Sequence, residues 1–393
     1  MSRRRLRGET PPLRRLAAVR GHLLDGRGAA SEEEQAAKKP PARDHTPGER
    51  QVLARRLGVK YGPVAFVRGV PWIGAGGAET EALVLEHQDK IQLRSTDVWI
   101  ATYPKCGTTW THQIALLLLN DGESSSWGGD PHGFKTGELL ASWPEVTYAR
   151  EGEKFLDALQ TVPDPRVMKT HAPYFLLPGR PGGAGTMPCK AIYVTRNPKD
   201  ACVSMLCAQL ATPSPSERRL SAGQCFSNAC ALCVCCIIIA DHAQQAWGYD
   251  GNWDQWYTLW MAGEVEFGSW FDHTIDWWNA ARAEENDGKI LWVTYEQLQQ
   301  DNAATIARIA AHLEVELTEE LLGKVQAESA FSNMQTLNSK ASDPHGQTFY
   351  RKGEVGDWRN HFSEQQSQDF DRVYGEKLAG LGLTFDFGGG VVM

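Results

Sequence analysis

One stretch constrains this chain more than any other: DVWIATYPKCGTTWTHQIALLLLN, from Asp97 to Asn120. Val98 to Ala101 is a short β-branched and aromatic run, which predicts a strand, and Thr111 to Leu119 has helix-compatible spacing. Between them lies Tyr103-Pro104-Lys105-Cys106-Gly107-Thr108-Thr109-Trp110. A loop from a strand end to a helix N-terminus offers unclaimed backbone N–H groups and the positive end of the helix dipole to an anion. Gly107 permits a close backbone approach, Thr108 and Thr109 add hydroxyls, and Lys105 adds a full charge. The nucleotide-binding pattern G-x-x-x-x-G-K-S/T is absent, because Thr108 stands where it needs lysine. Taken alone, the loop reads either as an anion cradle or as a threonine-capped helix after a proline turn.

The same rhythm recurs. KAIYVTRNP and KILWVTYEQL are further β-branched, aromatic runs that lead through a polar turn into a helical stretch. Strand, loop and helix in succession predict a parallel α/β sheet with its active edge at the strand C-termini. The chain's 393 residues, 42% of them hydrophobic, suffice for a proper core. A net charge of −8 argues against a nucleic-acid partner, yet leaves room for a local basic pocket. The longest apolar run, Ala229 to Ala240, falls short of the ~20 residues that cross a bilayer, so no membrane anchor is expected. Nine cysteines without a framework spacing point to a reducing compartment, hence the cytoplasm.

Residues 1–60 are arginine-rich, then polar with prolines and charge blocks, and read as a mostly disordered extension: a solvated tail, a misassigned start or an organelle transit peptide. Residues 61–388 read as the globular domain, interrupted at about 208–245 by a segment holding Cys225, Cys230, Cys233, Cys235 and Cys236. Those cysteines are bunched as Cys-Cys and Cys-x-Cys, and their C-x-x-C spacings overlap at Cys233 rather than forming the two separate knuckles of a zinc site, so no metal is expected.

Three further patches bear on the loop. VMKTHAP puts Lys169 and His171 on one side of an extended run, a base beside a cation. YVTRNPKDACVS ends a strand at Arg196 and opens a helix carrying Ser204, a second anion site with a guanidinium. FYRKGEVGDWRNHF groups Arg351, Lys352 and Gly353. Together they suggest a ligand with more than one phosphate and a transferable anionic group.

The set TYPKCGTTW, KTHAP, YVTRNPKDACVS, WVTYEQL, MAGEVEFGSW and RKGEVGDWRNHF, with the terminal YGEKLAGLGLTFDF, strongly resembles the cytosolic sulfotransferases. The resemblance runs from about Tyr61 to Phe387, outside the cysteine-rich segment. It implies a single P-loop-like α/β domain, a central parallel sheet flanked by helices, and the donor 3′-phosphoadenosine 5′-phosphosulfate (PAPS). It also implies roles. Lys105, Thr108 and Thr109, with the Cys106–Gly107 backbone, would hold the phosphosulfate, the lysine on the bridging oxygen. Arg196, Ser204, Arg351, Lys352 and Gly353 would grip the 3′-phosphate. Trp110 and Phe331 would sandwich the adenine, Tyr295 would bond its edge, and Ser329 would face the nucleotide. His171 would be the general base, with Lys105 and Lys169 stabilising developing charge and no metal required.

The chain departs from the family in places. Cys106 replaces a serine, Ala172 replaces a leucine, and the dimerisation stretch is altered at Arg359, Ser363, Glu364 and Gln368, which favours a monomer or weak dimer. The cysteine-rich segment reads as a translated intron or a real insertion. The acceptor stays open among phenols, alcohols, steroids and amines. The rival readings are a catalytically impaired nucleotide-binding protein and a nucleotide kinase.

Overall fold

Short, continuously apolar runs make strands buried on both faces, and three of those expected here assemble with a fourth, VMKT, into one sheet. The computed structural model describes residues 52–59, 61, 64–73, 78–123, 143–144, 148, 152–179, 186–210, 249–340, 352–390 and 392–393. The N-terminal extension before Val52, the cysteine-rich segment beyond Leu210, and Arg351 lie outside them.

Helix α1 (Val52–Leu57) precedes an antiparallel hairpin, β1 (Val64–Val67) and β2 (Val70–Ile73). The hairpin turns at Arg68 and Gly69, both left-handed, a backbone twist that suits two-residue connections. Ala54 of α1 is buried in the same apolar cluster as Tyr61, ahead of the expected start of the globular part. Then follow α2 (Ala78–Lys90), β3 (Val98–Thr102), α3 (Thr108–Leu119), α4 (Glu153–Thr161), β4 (Val167–Thr170), β5 (Lys190–Thr195) and α5 (Pro198–Leu210). After the cysteine-rich segment come α6 (Trp253–Ala262), α7 (Trp270–Arg282), β6 (Ile290–Thr294), α8 (Tyr295–Gln300), α9 (Asn302–Leu313), α10 (Glu319–Glu328), α11 (Phe331–Lys340) and α12 (Glu364–Leu378).

The sheet order is β4-β3-β5-β6, every pairing parallel. Side chains alternate between its faces. Val98, Ile100, Ile192 and Val194 pack on α3 and α9 through Ile114, Leu117, Ile306 and Ile309. Trp99, Ala101, Met168 and Tyr193 pack on the opposite side with Phe155 of α4 and Trp277 of α7. Helices on both faces are what an all-parallel sheet requires. A third cluster, rich in tryptophan, gathers α6, α7 and α12 around Trp256, Trp260, Trp270, Phe271 and Phe370.

Because all four strands run one way, their C-terminal ends share an edge. Thr102, Thr170, Thr195 and Thr294 end the strands there, and the segments that follow carry Lys105, His171, Arg196 and Tyr295. Parallel topology alone therefore collects residues from four distant parts of the chain.

Candidate active site

The loop between β3 and α3 is held in an uncommon backbone. Lys105 has φ 67 and Gly107 φ 107. A left-handed lysine costs about 1–2 kcal/mol, so the surroundings must impose it. Gly107 is required twice over: its φ disfavours a side chain, and a Cβ there would lie 3.1 Å from the Tyr295 ring. Gly107 is also the N-cap of α3, and no side chain caps that helix. This removes the threonine-capped alternative; the Thr108 hydroxyl instead pairs with Thr102 Oγ1 at 2.6 Å. Cys106 is fully buried, its thiol contacting Pro104 O at 3.7 Å. Burial drives its pKa far above the usual thiol range, so only the loop backbone at this position can serve an anion.

His171 sits just past β4. Its Nδ1 lies 2.7 Å from Thr102 O and 3.1 Å from Thr102 Oγ1. A carbonyl only accepts, so Nδ1 carries the proton and Nε2 presents its lone pair. Trp143 (4.5 Å between ring centroids) and Phe267 (5.2 Å, edge-on) flank the ring. Lys169 is fully buried, with Nζ 5.4 Å from the same Trp143 ring, so the two residues do share a side. Burial chiefly, then His273, Lys105 and Lys169, lower the His171 pKa to about 3, and the imidazole is neutral at pH 7.

Arg196 joins the rest. Its guanidinium lies 4.3 Å over the Tyr295 ring, Nη2 donates to Glu354 O at 2.9 Å, and Nη1 reaches Lys105 O at 3.5 Å. Nε is buried without a hydrogen bond among the described residues. An orphaned guanidinium N–H at this edge is a ready donor for a phosphate. Trp110 meets Tyr295 edge-on at 5.6 Å, and Gln299 bridges Tyr295 Oη (3.0 Å) and Gly353 O (2.8 Å). Gly353, at φ 70, lets the backbone lie against Phe331, whose ring a Cβ would approach to 2.8 Å. Lys352 is paired with Asp357, and Ser204 stands partly exposed on α5. Thr109 is partly exposed in the first turn of α3. Ser329 is buried and donates to Val325 O at 2.6 Å, so its hydroxyl is engaged within α10.

The lysine loop, Arg196, Tyr295, Trp110, Gly353 and Phe331 thus form one connected cluster, with His171 and Lys169 beside it. Sequence reasoning passed over Trp143 and Phe267, although the run EFGSW, an aromatic before a glycine, marks a sharp turn that can aim a ring. It also passed over Asp200, whose carboxylate accepts from Gly356 N (2.7 Å), Trp358 N (2.9 Å) and Asn197 Nδ2 (2.9 Å) and so fixes the loop after Lys352. Among the described residues no group of three or more His, Cys, Asp and Glu could hold a metal ion, and no helix is long and apolar enough to cross a membrane.

The family model for the sulfotransferase domain matches residues 95–382, which span every one of these elements from β3 to α12. The chain belongs to the sulfotransferase family. Sulfotransferase 1B1 of Mus musculus is 31% identical over 331 residues, covering 81% of this chain and 93% of the relative. Sulfotransferase 2B1 of Mus musculus is 32% identical over 330 residues, 80% of each chain. Among solved structures, mouse sulfotransferase SULT7A1 complexed with PAP aligns with a TM-score of 0.56 at 23% identity, covering 81% of this chain and 94% of that one. Retinol dehydratase in complex with retinol and PAP aligns at 0.55 and 20%, covering 76% and 86%. This sulfotransferase therefore has the fold of its family as well as its sequence pattern, and membership displaces the kinase reading. Enzymes of the family take PAPS as the sulfonate donor.

Proposed function

We propose that this sulfotransferase moves the sulfonate of PAPS to a hydroxyl or amine of a small acceptor, with His171 as general base. The observation that carries the reading is the bond from His171 Nδ1 to Thr102 O, which sets the tautomer and leaves Nε2 as acceptor. Burial keeps the ring neutral, so it can take the acceptor's proton as oxygen or nitrogen attacks sulfur. The new bond to sulfur forms as the bond to the donor's phosphate oxygen breaks, and PAP leaves. Lys105 neutralises charge gathering on that phosphate oxygen, and Lys169 steadies the sulfonate oxygens. The negative donor would also offset the two lysines that depress His171, raising its basicity when it is needed.

The donor set fits a nucleotide with phosphates at both ends. The glycine-turned loop and α3 N-terminus suit the phosphosulfate; Arg196, Ser204, Lys352 and Gly353, with Arg351, suit the 3′-phosphate. Trp110 and Phe331 would hold the adenine, with Tyr295 and Ser329 beside it. Trp143 and Phe267 flank His171 and would grip a flat apolar acceptor, whether phenol, alcohol, steroid or amine. The enzyme would work in the cytoplasm as a monomer or weak dimer.

His171→Ala is expected to lose 10²–10⁴-fold in turnover while PAP still binds. Rates near wild type would remove His171 as base. PAP binding with no transfer to any acceptor by the wild-type protein would favour the impaired nucleotide-binding reading.

A further inference from the structure

Glu266 lies outside the machinery described so far, yet touches its acceptor end through the backbone. It is 1% exposed, and its carboxyl accepts from the Tyr61 hydroxyl and, at 3.2 and 3.4 Å, from Gln209 Nε2. Both donors are neutral, a phenol and an amide. Burying a carboxyl among neutral groups is costly, and burial raises its pKa to about 7. The next residue, Phe267, has φ 63 and is followed by Gly268 at φ 76. Two successive left-handed residues, one of them a phenylalanine, make a turn that the chain does not adopt unforced.

The turn is pinned from outside. Phe267 N donates to Pro71 O at 2.8 Å, and Tyr103 Oη donates to Gly268 O at 2.9 Å. On the other side the pin is the Glu266 side chain, held by Tyr61 ahead of the hairpin and by Gln209 in the last turn of α5. What the turn delivers is the Phe267 ring, 5.2 Å from His171 and 5.1 Å from Trp72.

We propose that Glu266 is a positioning residue for the acceptor wall: anchored to Tyr61 and Gln209, it locks the Phe267–Gly268 turn and so keeps the Phe267 ring edge-on against the His171 ring. This rests on the reading of the His171 neighbourhood as the acceptor end. It is distinct from His171 acting as base, since it concerns what covers the imidazole. A shielded imidazole resists protonation, and one opened to water titrates near its ordinary value.

The test is the titration of His171 in full-length protein with labelled histidine, its NMR signal assigned by its disappearance in His171→Asn. In the wild type that signal is expected to stay flat above pH 5. In Glu266→Ala its midpoint should rise by about one pH unit or more, as water reaches the ring. Glu266→Gln keeps an acceptor for Tyr61 and an amide to pair with Gln209, and should follow the wild type. Tyr61→Phe should shift the midpoint in the same direction by less, and decides the matter if Glu266→Ala does not fold. An unmoved midpoint in Glu266→Ala and Tyr61→Phe would overturn the proposal, as would a Glu266→Gln protein behaving like Glu266→Ala. The readout needs neither donor nor turnover, so a failed base assignment in His171→Ala would leave this result intact.

Discussion

Gly353 shows how little latitude single positions have at the donor cluster. An added Cβ would sit 2.8 Å from Phe331 Cδ2 and Cε2, and φ 70 would place that side chain in the left-handed region. Either the ring swings away or the loop moves, and the ring is one wall of the adenine pocket proposed above. The left-handed backbone alone costs about 1–2 kcal/mol for a residue with a side chain. Gly353→Ala is therefore expected to weaken PAP binding about tenfold with the protein still folded. Calorimetric titration with PAP checks it; an unchanged dissociation constant would detach the contact between Gly353 and Phe331 from donor binding. Lys105 is a contrasting case. Its charge was legible in the sequence, but its left-handed backbone was not, because nothing in Pro104-Lys105-Cys106 distinguishes that conformation from an ordinary turn.

At the level of elements, α5 bears on the donor loop from both sides. Asp200 in its first turn holds Gly356 N and Trp358 N, while the neighbouring Lys199 lies 4.2 Å over the Trp358 ring and pairs with Asp371 of α12. Hydrogen bonds to a charged acceptor contribute about 1.5–3 kcal/mol each. Asp200→Ala should loosen the 352–358 loop, weakening PAP about tenfold or more, while turnover at saturating donor stays near wild type. A fall in turnover with PAP affinity intact would move Asp200 out of this role. The strands and the loops that follow them could be read directly, since each is a local run of apolar residues leading into a turn. Asp200 could not, because its backbone partners lie 156 and 158 residues away and a backbone N–H has no sequence signature. The same limit hid Trp143 and Phe267, whose importance depends on where β4 brings His171.

Across the whole molecule, buried titratable groups set how stability responds to acid. Burial leads in lowering four histidines: His87 and His171 to about 3, His273 and His312 to about 4. Below pH 6.5 the unfolded chain protonates these rings and the folded one does not, so each removes stability as pH falls. Raised carboxyls oppose them: Glu266 and Glu296 at about 7, and Asp200 in the same direction, all chiefly by burial. These keep their protons in the folded state where the unfolded chain has lost them, so they add stability on acidification until the unfolded carboxyls also protonate. Four against two, less what Asp200 takes back, leaves the unfolded state ahead by about one to two protons, or about 1.4–2.8 kcal/mol per pH unit, between pH 6.5 and 4.5. Below that window the unfolded carboxyls protonate and their offset is lost, while His273 and His312 begin to take up protons in the folded state. Urea midpoints at pH 7, 5.5 and 4.5 measure the slope, and stability that holds or rises on acidification would sink the account. His87 supplies the internal control. Its two ring nitrogens have no hydrogen-bond partner among the described residues, and its ring stacks on Tyr148 at 4.9 Å. His87→Phe keeps the stack, removes two unsatisfied polar atoms and deletes one titration. It should raise stability at pH 7 and cut the slope from pH 6.5 to 4.5 by about one proton, or about 1.4 kcal/mol per pH unit, whereas an unchanged slope would show that His87 is not among the groups that drive it.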